Sequence, residues 1–249
     1  MKQIEFFGYS LANKTVADIA NLLSNNENPT LFSHVVTLNP TIFIQSELNK
    51  RYKSLIQRSN LIVVDGIGLK WAIKLLTKVS VHIVTGVDLC YYLLQHKQSS
   101  CYLLGAKPDV IENVVNNIKL NYQKISIVGY HHGYFSKEEF NKICTEVKDL
   151  SPDFIFIATG FPYQEEIINA LRDYGCTGTA IGIGGVFDVL SGNVKLAPQF
   201  IRKYNLEWLY RSLQDVRRLP RLKYLVYFTF FIFGRLVINL LRRCKNFFC

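Results

Sequence analysis

Residues 154–174 read FIFIATGFPYQEEIINALRDY. Phe154–Ala158 is an apolar run without alternation, the pattern of a strand covered on both faces. Thr159-Gly160-Phe161-Pro162 breaks the run, and Pro162–Tyr174 then brings apolar residues back at helical spacing, behind a proline that a first helical turn tolerates. A buried strand passing through a short loop into a helix is the building unit of a parallel sheet.

The unit recurs along the chain. Apolar runs stand at Ile4–Phe7, Val35–Leu38, Leu61–Val64, Val81–Val84, Tyr102–Leu104, Ile125–Val128 and Thr179–Ile183. Helical stretches lie between them at Thr41–Arg58, Pro108–Asn121 and Ser136–Asp149, and Ser136-Lys-Glu-Glu139 fits a capping box. The pattern predicts an α/β fold: a Rossmann-like, mainly parallel sheet flanked by helices. In such sheets ligands bind outside the carboxyl ends of the strands. Those ends here hold Asn39-Pro40, Asp65-Gly-Ile-Gly68, Thr85-Gly86, Gly105-Ala-Lys107, Gly129–Tyr134, Thr159–Pro162 and Gly182–Gly185, so glycines and polar residues gather on one rim.

Composition excludes disorder: 49% of the residues are hydrophobic and 19% charged. The opening MKQIEFFGYSLANKT does not read as a signal peptide, and six scattered cysteines with no C-x-x-C pair are expected to be reduced thiols. The net charge of +10 belongs to one end. Residues 195–249 hold twelve Lys and Arg against Glu207 and Asp215, whereas residues 1–194 hold 17 of each sign. The texture changes near the same point, which divides the chain into a catalytic domain (1–195) and a basic, apolar C-terminal helical appendage (196–249). Gln199–Val216 reads as helical, Pro220 interrupts, and Tyr224–Leu241 follows with Arg235 as its only charge. Eighteen residues at 1.5 Å each give about 27 Å, barely a bilayer span. Arg235, Asn239 and Arg242 share one helical face, which favours a helix lying on an anionic membrane over one crossing it.

Several rim residues suit chemistry and also suit structure. Asp65 ends a buried-looking strand and can act as a general base, or it can cap the helix that starts near Leu69. Asn39 can bind a sugar hydroxyl or phosphate, or cap the helix beginning at Pro40. Gly182-Ile-Gly-Gly185 can cradle phosphates through backbone N–H groups, but it is not a G-x-G-x-x-G fingerprint. The adjacent His131 and His132 read as loop residues with no metal-ligand partner nearby. There is no D-x-D, P-loop or G-x-S-x-G, so a nucleotide-sugar enzyme built on this chain is expected to need neither metal nor other cofactor.

Eight short motifs occur in one order: Thr-Leu-Asn39-Pro, Val-Asp65-Gly-Ile-Gly, Val-Thr-Gly86-Val-Asp-Leu, Leu-Gly105-Ala-Lys-Pro, His-Gly133-Tyr-Phe, Gly-x-Pro162-x-Gln164-Glu165, Ile-Gly-x-Gly-Gly185-x-Phe-Asp188-x-x-Ser-Gly192 and Ala-Pro198…Glu207-Trp208-Leu-Tyr-Arg211. Together, from Thr37 to Arg218, they resemble the WecG/TagA/CpsF family of bacterial glycosyltransferases, family 26. The resemblance implies an inverting, metal-independent enzyme. Such an enzyme moves an N-acetylmannosamine-type sugar from a UDP-sugar to an undecaprenyl-diphosphate-linked saccharide in surface-polysaccharide synthesis. It implies work on the cytoplasmic face of the inner membrane. It puts the base on Asp65 and a positioning amide on Asn39, close to Thr37. It puts UDP contacts near Gly133, Tyr134, Gln164, Gly184, Gly185 and Asp188, with Gly105 on the same rim, and makes the basic tail a membrane-docking cover. Two positions depart from the family pattern: Ile83 stands where Arg is usual, and Tyr163 where Lys is usual. The diphosphate charge is then expected to fall to Lys107 or to tail arginines such as Arg211, Arg218 and Arg221.

Two other classes compete. A nucleic-acid-binding module would interleave aromatics with basic residues on an open sheet, whereas Tyr227, Phe228, Phe230, Phe231 and Phe233 form an apolar block. An NAD-dependent oxidoreductase is disfavoured by the missing fingerprint. The expected partners are therefore a UDP-sugar, a lipid-linked acceptor and an anionic membrane, with no nucleic acid.

Overall fold

The computed structural model of the chain describes residues 3–24, 31–195, 197–198, 200–201, 210, 220 and 222–245. The strands are β1 (Gln3–Phe6), β2 (Tyr9–Ala12), β3 (Phe32–Leu38), β4 (Leu61–Val64), β5 (Ser99–Gly105), β6 (Ile125–His131), β7 (Phe154–Ala158) and β8 (Gly178–Gly182). They form one sheet in the order β1-β2-β4-β3-β8-β7-β5-β6. All neighbours pair parallel except β1 and β2. The helices are α1 (Val16–Ser24), α2 (Pro40–Leu48), α3 (Lys50–Gln57), α4 (Ile67–Thr77), α5 (Gly86–His96), α6 (Pro108–Asn121), α7 (Lys137–Leu150), α8 (Tyr163–Tyr174), α9 (Val186–Leu190) and α10 (Leu222–Lys245).

The unbroken apolar runs of β3, β4, β5, β7 and β8 are buried on both faces, as their lack of alternation predicts, whereas β1 alternates and the edge strand β6 is partly open. Alternate residues of each strand feed opposite layers. Val35, Val63, Leu103, Phe156 and Ile181 pack with α1, α5, α6 and α9 on one face. On the other face Val36, Leu38, Ile62 and Val64 pack with α2, α3 and α4, and Leu104, Ile155 and Ile157 pack with α7 and α8. The mainly parallel α/β sheet flanked by helices is thus as expected. Chain direction places a crevice: β3 continues into α2 on one face, and β8, its neighbour, continues into α9 on the other. The helices diverge there, and the carboxyl ends of β3 and β8 are left open.

Three expectations need correction, and one strand joins those expected. Ile4–Phe7 forms β1, which turns back through Phe7-Gly8 into the further strand β2, with Phe6 opposite Tyr9. Both turn residues have positive φ, 52° and 82°, as a two-residue hairpin loop requires, and the apolar Phe7 disguises the turn. Val81–Val84 is not a strand. Val81 and Val84 are buried, and Val84 N–H donates to Val64 C=O (2.8 Å), but His82 N–H turns to the Asn13 side chain (2.9 Å) and no ladder forms. Thr41–Arg58 is two helices, broken at Asn49, whose extended backbone ends α2 while its side chain accepts from Arg51 and Tyr52 N–H at the start of α3. His131 is the last residue of β6 rather than part of a loop; its Nδ1 lies 2.8 Å from the His132 carbonyl oxygen.

The capping box at Ser136 is present: its hydroxyl accepts from Glu139 N–H, and the Glu139 carboxylate accepts from Ser136 N–H (2.7 Å). Cys90, Cys101, Cys144 and Cys176 are buried free thiols. The helix expected at Gln199–Val216 lies almost wholly outside the described residues.

Candidate functional site

The rim is assembled from strand ends. Thr37, nearly at the end of β3, is buried, and its hydroxyl donates to the Gly182 carbonyl at the end of β8 (3.2 Å). This bond ties the two walls of the crevice together. Asn39 follows β3 and caps α2, its side-chain oxygen accepting from Ile42 N–H (3.0 Å). One amide oxygen is thereby committed, and the rest of the Asn39 side chain stays at the rim. Asp65 follows β4, and its N–H donates to the Leu38 carbonyl (2.8 Å), which sets it beside Asn39. The cap position of α4 falls on Gly66, which has no side chain to offer, and Asp65 stands one residue before it.

Across the crevice, Gln164 is a buried side chain in the first turn of α8. Its Oε1 accepts from Gly184 N–H (3.2 Å) and its Nε2 donates to Glu165 Oε1 (3.0 Å). A backbone N–H can only donate, so this bond fixes which end of the amide faces Gly184. A side chain at Gly182 would begin 2.5 Å from Gln164 Nε2, so only glycine lets the amide lie flat on β8. Ile183 N–H is also engaged, donating to Ile157 C=O (2.9 Å). Two amides of the expected phosphate cradle are therefore already bonded within the protein, a correction to the simple reading of a glycine turn. Gly185 caps α9, and Asp188 lies in its first turn.

Glu165 belongs to the motif Gly-x-Pro162-x-Gln164-Glu165, although no role of its own is expected for it there. It is fully buried, and among the described residues its Oε2 has no hydrogen-bond partner. Burial pushes its carboxyl up to about 7, against the lowering effect of the Gln164 hydrogen bond. Thr159, just beyond β7, buries a hydroxyl oxygen that likewise has no hydrogen-bond partner among the described residues. The signal for Thr159 was its position at a strand-to-helix loop, and Glu165 had in addition its place in the motif beside Gln164.

The far end of the rim is made by β5 and β6. Gly105 has φ +139°, and a Cβ there would begin 2.7–2.9 Å from the Ala158 backbone. Gly133 N–H donates to Ala106 C=O (2.8 Å), and a Cβ on it would lie 3.1 Å from Thr159 Cγ2. Both glycines let backbones meet closely, so their role is shape. Lys107, at the cap of α6, and Tyr134 are exposed beside them. Asp65 and Gly105 stand four inter-strand steps apart, about 19 Å at about 4.8 Å per step, so they cannot touch the same atom of one ligand. The rim suits an elongated substrate. Tyr163, in the place of a usual Lys, stacks on Phe135 (centroids 6.2 Å apart) and brings an aromatic wall there in place of a cation. Arg211, Arg218 and Arg221 lie outside the described residues. Among the described residues, no three His, Cys, Asp or Glu side chains gather as a metal site.

The glycosyl transferase WecG/TagA/CpsF family matches residues 4–245. An N-acetylglucosaminyldiphosphoundecaprenol N-acetyl-beta-D-mannosaminyltransferase of Bacillus spizizenii is 35% identical over 191 residues, covering 76% of this chain and 74% of the relative. The protein of the same name from Staphylococcus aureus (strain MW2) is 32% identical over 228 residues, covering 89% of this chain and 88% of the relative. With the match running from the first strand to the last helix, the chain belongs to the WecG/TagA/CpsF family of glycosyltransferases.

Proposed function

We propose that this enzyme transfers an N-acetylmannosamine-type sugar from a UDP-sugar to an undecaprenyl-diphosphate-linked saccharide, with inversion and without a metal, on the cytoplasmic face of the membrane. The observation that carries the reading is the position of Asp65. It stands at a strand end beside the crevice, next to Asn39. The names of the two relatives supply the acceptor and sugar classes.

In this reading Asp65 accepts the proton of an acceptor hydroxyl as that oxygen attacks the anomeric carbon from the face opposite UDP. The bond to the departing diphosphate breaks as the new glycosidic bond forms, and the diphosphate leaves with the electron pair. Asn39 orients the acceptor, and the Gly184–Gly185 turn, braced by Gln164, holds the donor. With Ile183 and Gly184 N–H already engaged, charge on the diphosphate is left to cations, Lys107 among them. Helix α10 docks the enzyme on the bilayer that holds its acceptor. Within Leu222–Arg242 it is long and apolar enough to cross a membrane, and only 11% of its most apolar part is buried in the protein.

The test is UDP release from a panel of UDP-sugars, with and without a polyprenyl-diphosphate-linked N-acetylglucosamine acceptor, in EDTA. Release that requires both the acceptor and a UDP-N-acetylhexosamine is expected. Release that needs Mg²⁺ or Mn²⁺, or a lack of any acceptor-dependent release, would overturn the reading.

A further inference from the structure

Helix α4 has apolar residues on two sides. Leu69, Ala72 and Ile73 are buried against the sheet. The opposite stripe is Trp71, Lys74, Leu75 and Lys78, at i, i+3, i+4 and i+7, and these four line a shallow open depression. Trp71 is 63% exposed and Leu75 51%, on a helix whose outward side would ordinarily be polar. The charge around them has one sign. No Asp or Glu occurs from Gly66 to Val87, although residues 1–194 as a whole are balanced. No Asp or Glu follows Asp215 either.

The two acid-free segments meet. Helix α10 packs on α2 and α4. Its Phe228 and Ile232 enter the same core layer as Leu69 and Ile73, and Phe228 Cε1 lies 4.0 Å from where a side chain on Gly68 would begin. Phe230, Phe233, Leu240 and Leu241 stay largely exposed. The Arg235 guanidinium turns back over the rings of Phe7 and Phe231, 5.3 and 5.5 Å from their centroids. A cation on the protein side with aromatic and aliphatic groups outward reverses the arrangement that water favours.

We propose that the outward stripe of α4 and the outward face of α10 form one continuous surface that binds an anionic lipid bilayer. The proposal rests on the membrane reading of α10 and extends it to the catalytic domain itself. The Trp71 indole suits the headgroup level, and Lys74 and Lys78 carry apolar stems that let their ammonium groups reach lipid phosphates. A second copy of the chain is a poor occupant, because a two-fold interface would set this acid-free patch against itself. The outward stripe begins at Trp71, in the second turn of the helix that follows Asp65, and so lies on the β4 side of the rim.

The experiment uses the full chain with Trp208→Phe, which leaves Trp71 as the one tryptophan, and vesicles of phosphatidylcholine with or without phosphatidylglycerol. A blue shift of Trp71 emission on anionic vesicles and quenching by brominated lipid are expected. On the wild-type background, Lys74→Gln with Lys78→Asn should weaken flotation with anionic vesicles roughly tenfold or more, since each cation near an anionic leaflet contributes to binding. Asn suits the left-handed backbone at Lys78 (φ 64°). An unchanged unfolding midpoint serves as the folding control. Phe230→Asp with Phe233→Asp tests α10 separately. If those changes release the protein while Trp71 emission never moves and the lysine variant floats normally, α10 docks alone and the proposal fails. If the wild type floats with no vesicle, both readings fail. Sedimentation showing a dimer that Trp71→Ser dissociates would replace the bilayer with a second copy.

Discussion

On the β3–β4 side of the rim the candidate site is made of side chains; on the β5–β6 side it is made of backbone. Thr37, Asn39 and Asp65 stand at the ends of the neighbouring strands β3 and β4 and carry a hydroxyl, an amide and a carboxylate. Gly105 and Gly133 contribute no side chain and instead let β5, β7 and the β6–α7 loop close on one another. Gln164 lies between the two sides, with its amide spent on Gly184 and Glu165. The difference separates two kinds of failure: substitutions on the first side should remove chemistry and leave the fold, and those on the second should disturb the fold and the donor's seat together.

The largest effect is expected at Asp65. Asp65→Asn keeps the shape and removes the base, so turnover should fall by about 10²–10⁴-fold, the usual cost of losing general-base catalysis. UDP affinity measured by calorimetry should stay near wild type. Near-normal turnover would remove Asp65 from the mechanism and dissolve the distinction between the sides.

Gly105→Ala tests the backbone side. The added methyl would begin 2.7 Å from the Ala158 carbonyl carbon, at a φ of +139° that L-residues avoid. A loss of roughly 2–4 kcal/mol in urea unfolding is expected, with weaker UDP binding. A variant of normal stability with poor catalysis would assign Gly105 a chemical role instead.

Glu165 joins the sides through Gln164, and its effect depends on pH. Its carboxyl is raised from 4.5 to about 7 by burial, so the folded chain holds a proton that the unfolded chain releases. The associated stability is fully present below the unfolded value and is lost as pH rises through about 7. Between about pH 4.5 and pH 8 the wild type should lose on the order of 3 kcal/mol from this group, and Glu165→Gln should be free of that loss. Parallel stability curves for the two proteins would show that the carboxyl finds a partner outside the protein.

Asn39 gives the smallest effect and the sharpest division of roles. Asn39→Ala should cost about 1 kcal/mol by removing the α2 cap, whereas Asn39→Ser restores a capping oxygen at little cost. If Asn39→Ser is stable yet slow, the amide positions substrate as well as capping. If it is stable and fully active, capping is its whole function.

Much of this was legible locally. The runs that became β3, β4, β7 and β8, the prolines opening α2 and α6, and the Ser136 capping box depend on neighbours within a few residues, where periodicity and hydrogen-bonding capacity are written directly in the chain. The gathering of glycines and polar residues at strand ends was legible for the same reason. The Phe7-Gly8 turn and the unpaired Val81–Val84 were not, because an apolar residue can sit in a tight turn, and a buried extended segment forms a strand only if a neighbour offers it a ladder. Strand order was decided only by tertiary structure. It brought Thr37 onto Gly182 across 145 residues, laid the Gln164 amide on Gly184, buried Glu165 and turned Arg235 toward Phe7. Such contacts arise because pairing β3 with β8 satisfies backbone groups far apart in the chain. The pattern of a single segment carries no record of which distant segment will complete its hydrogen bonds.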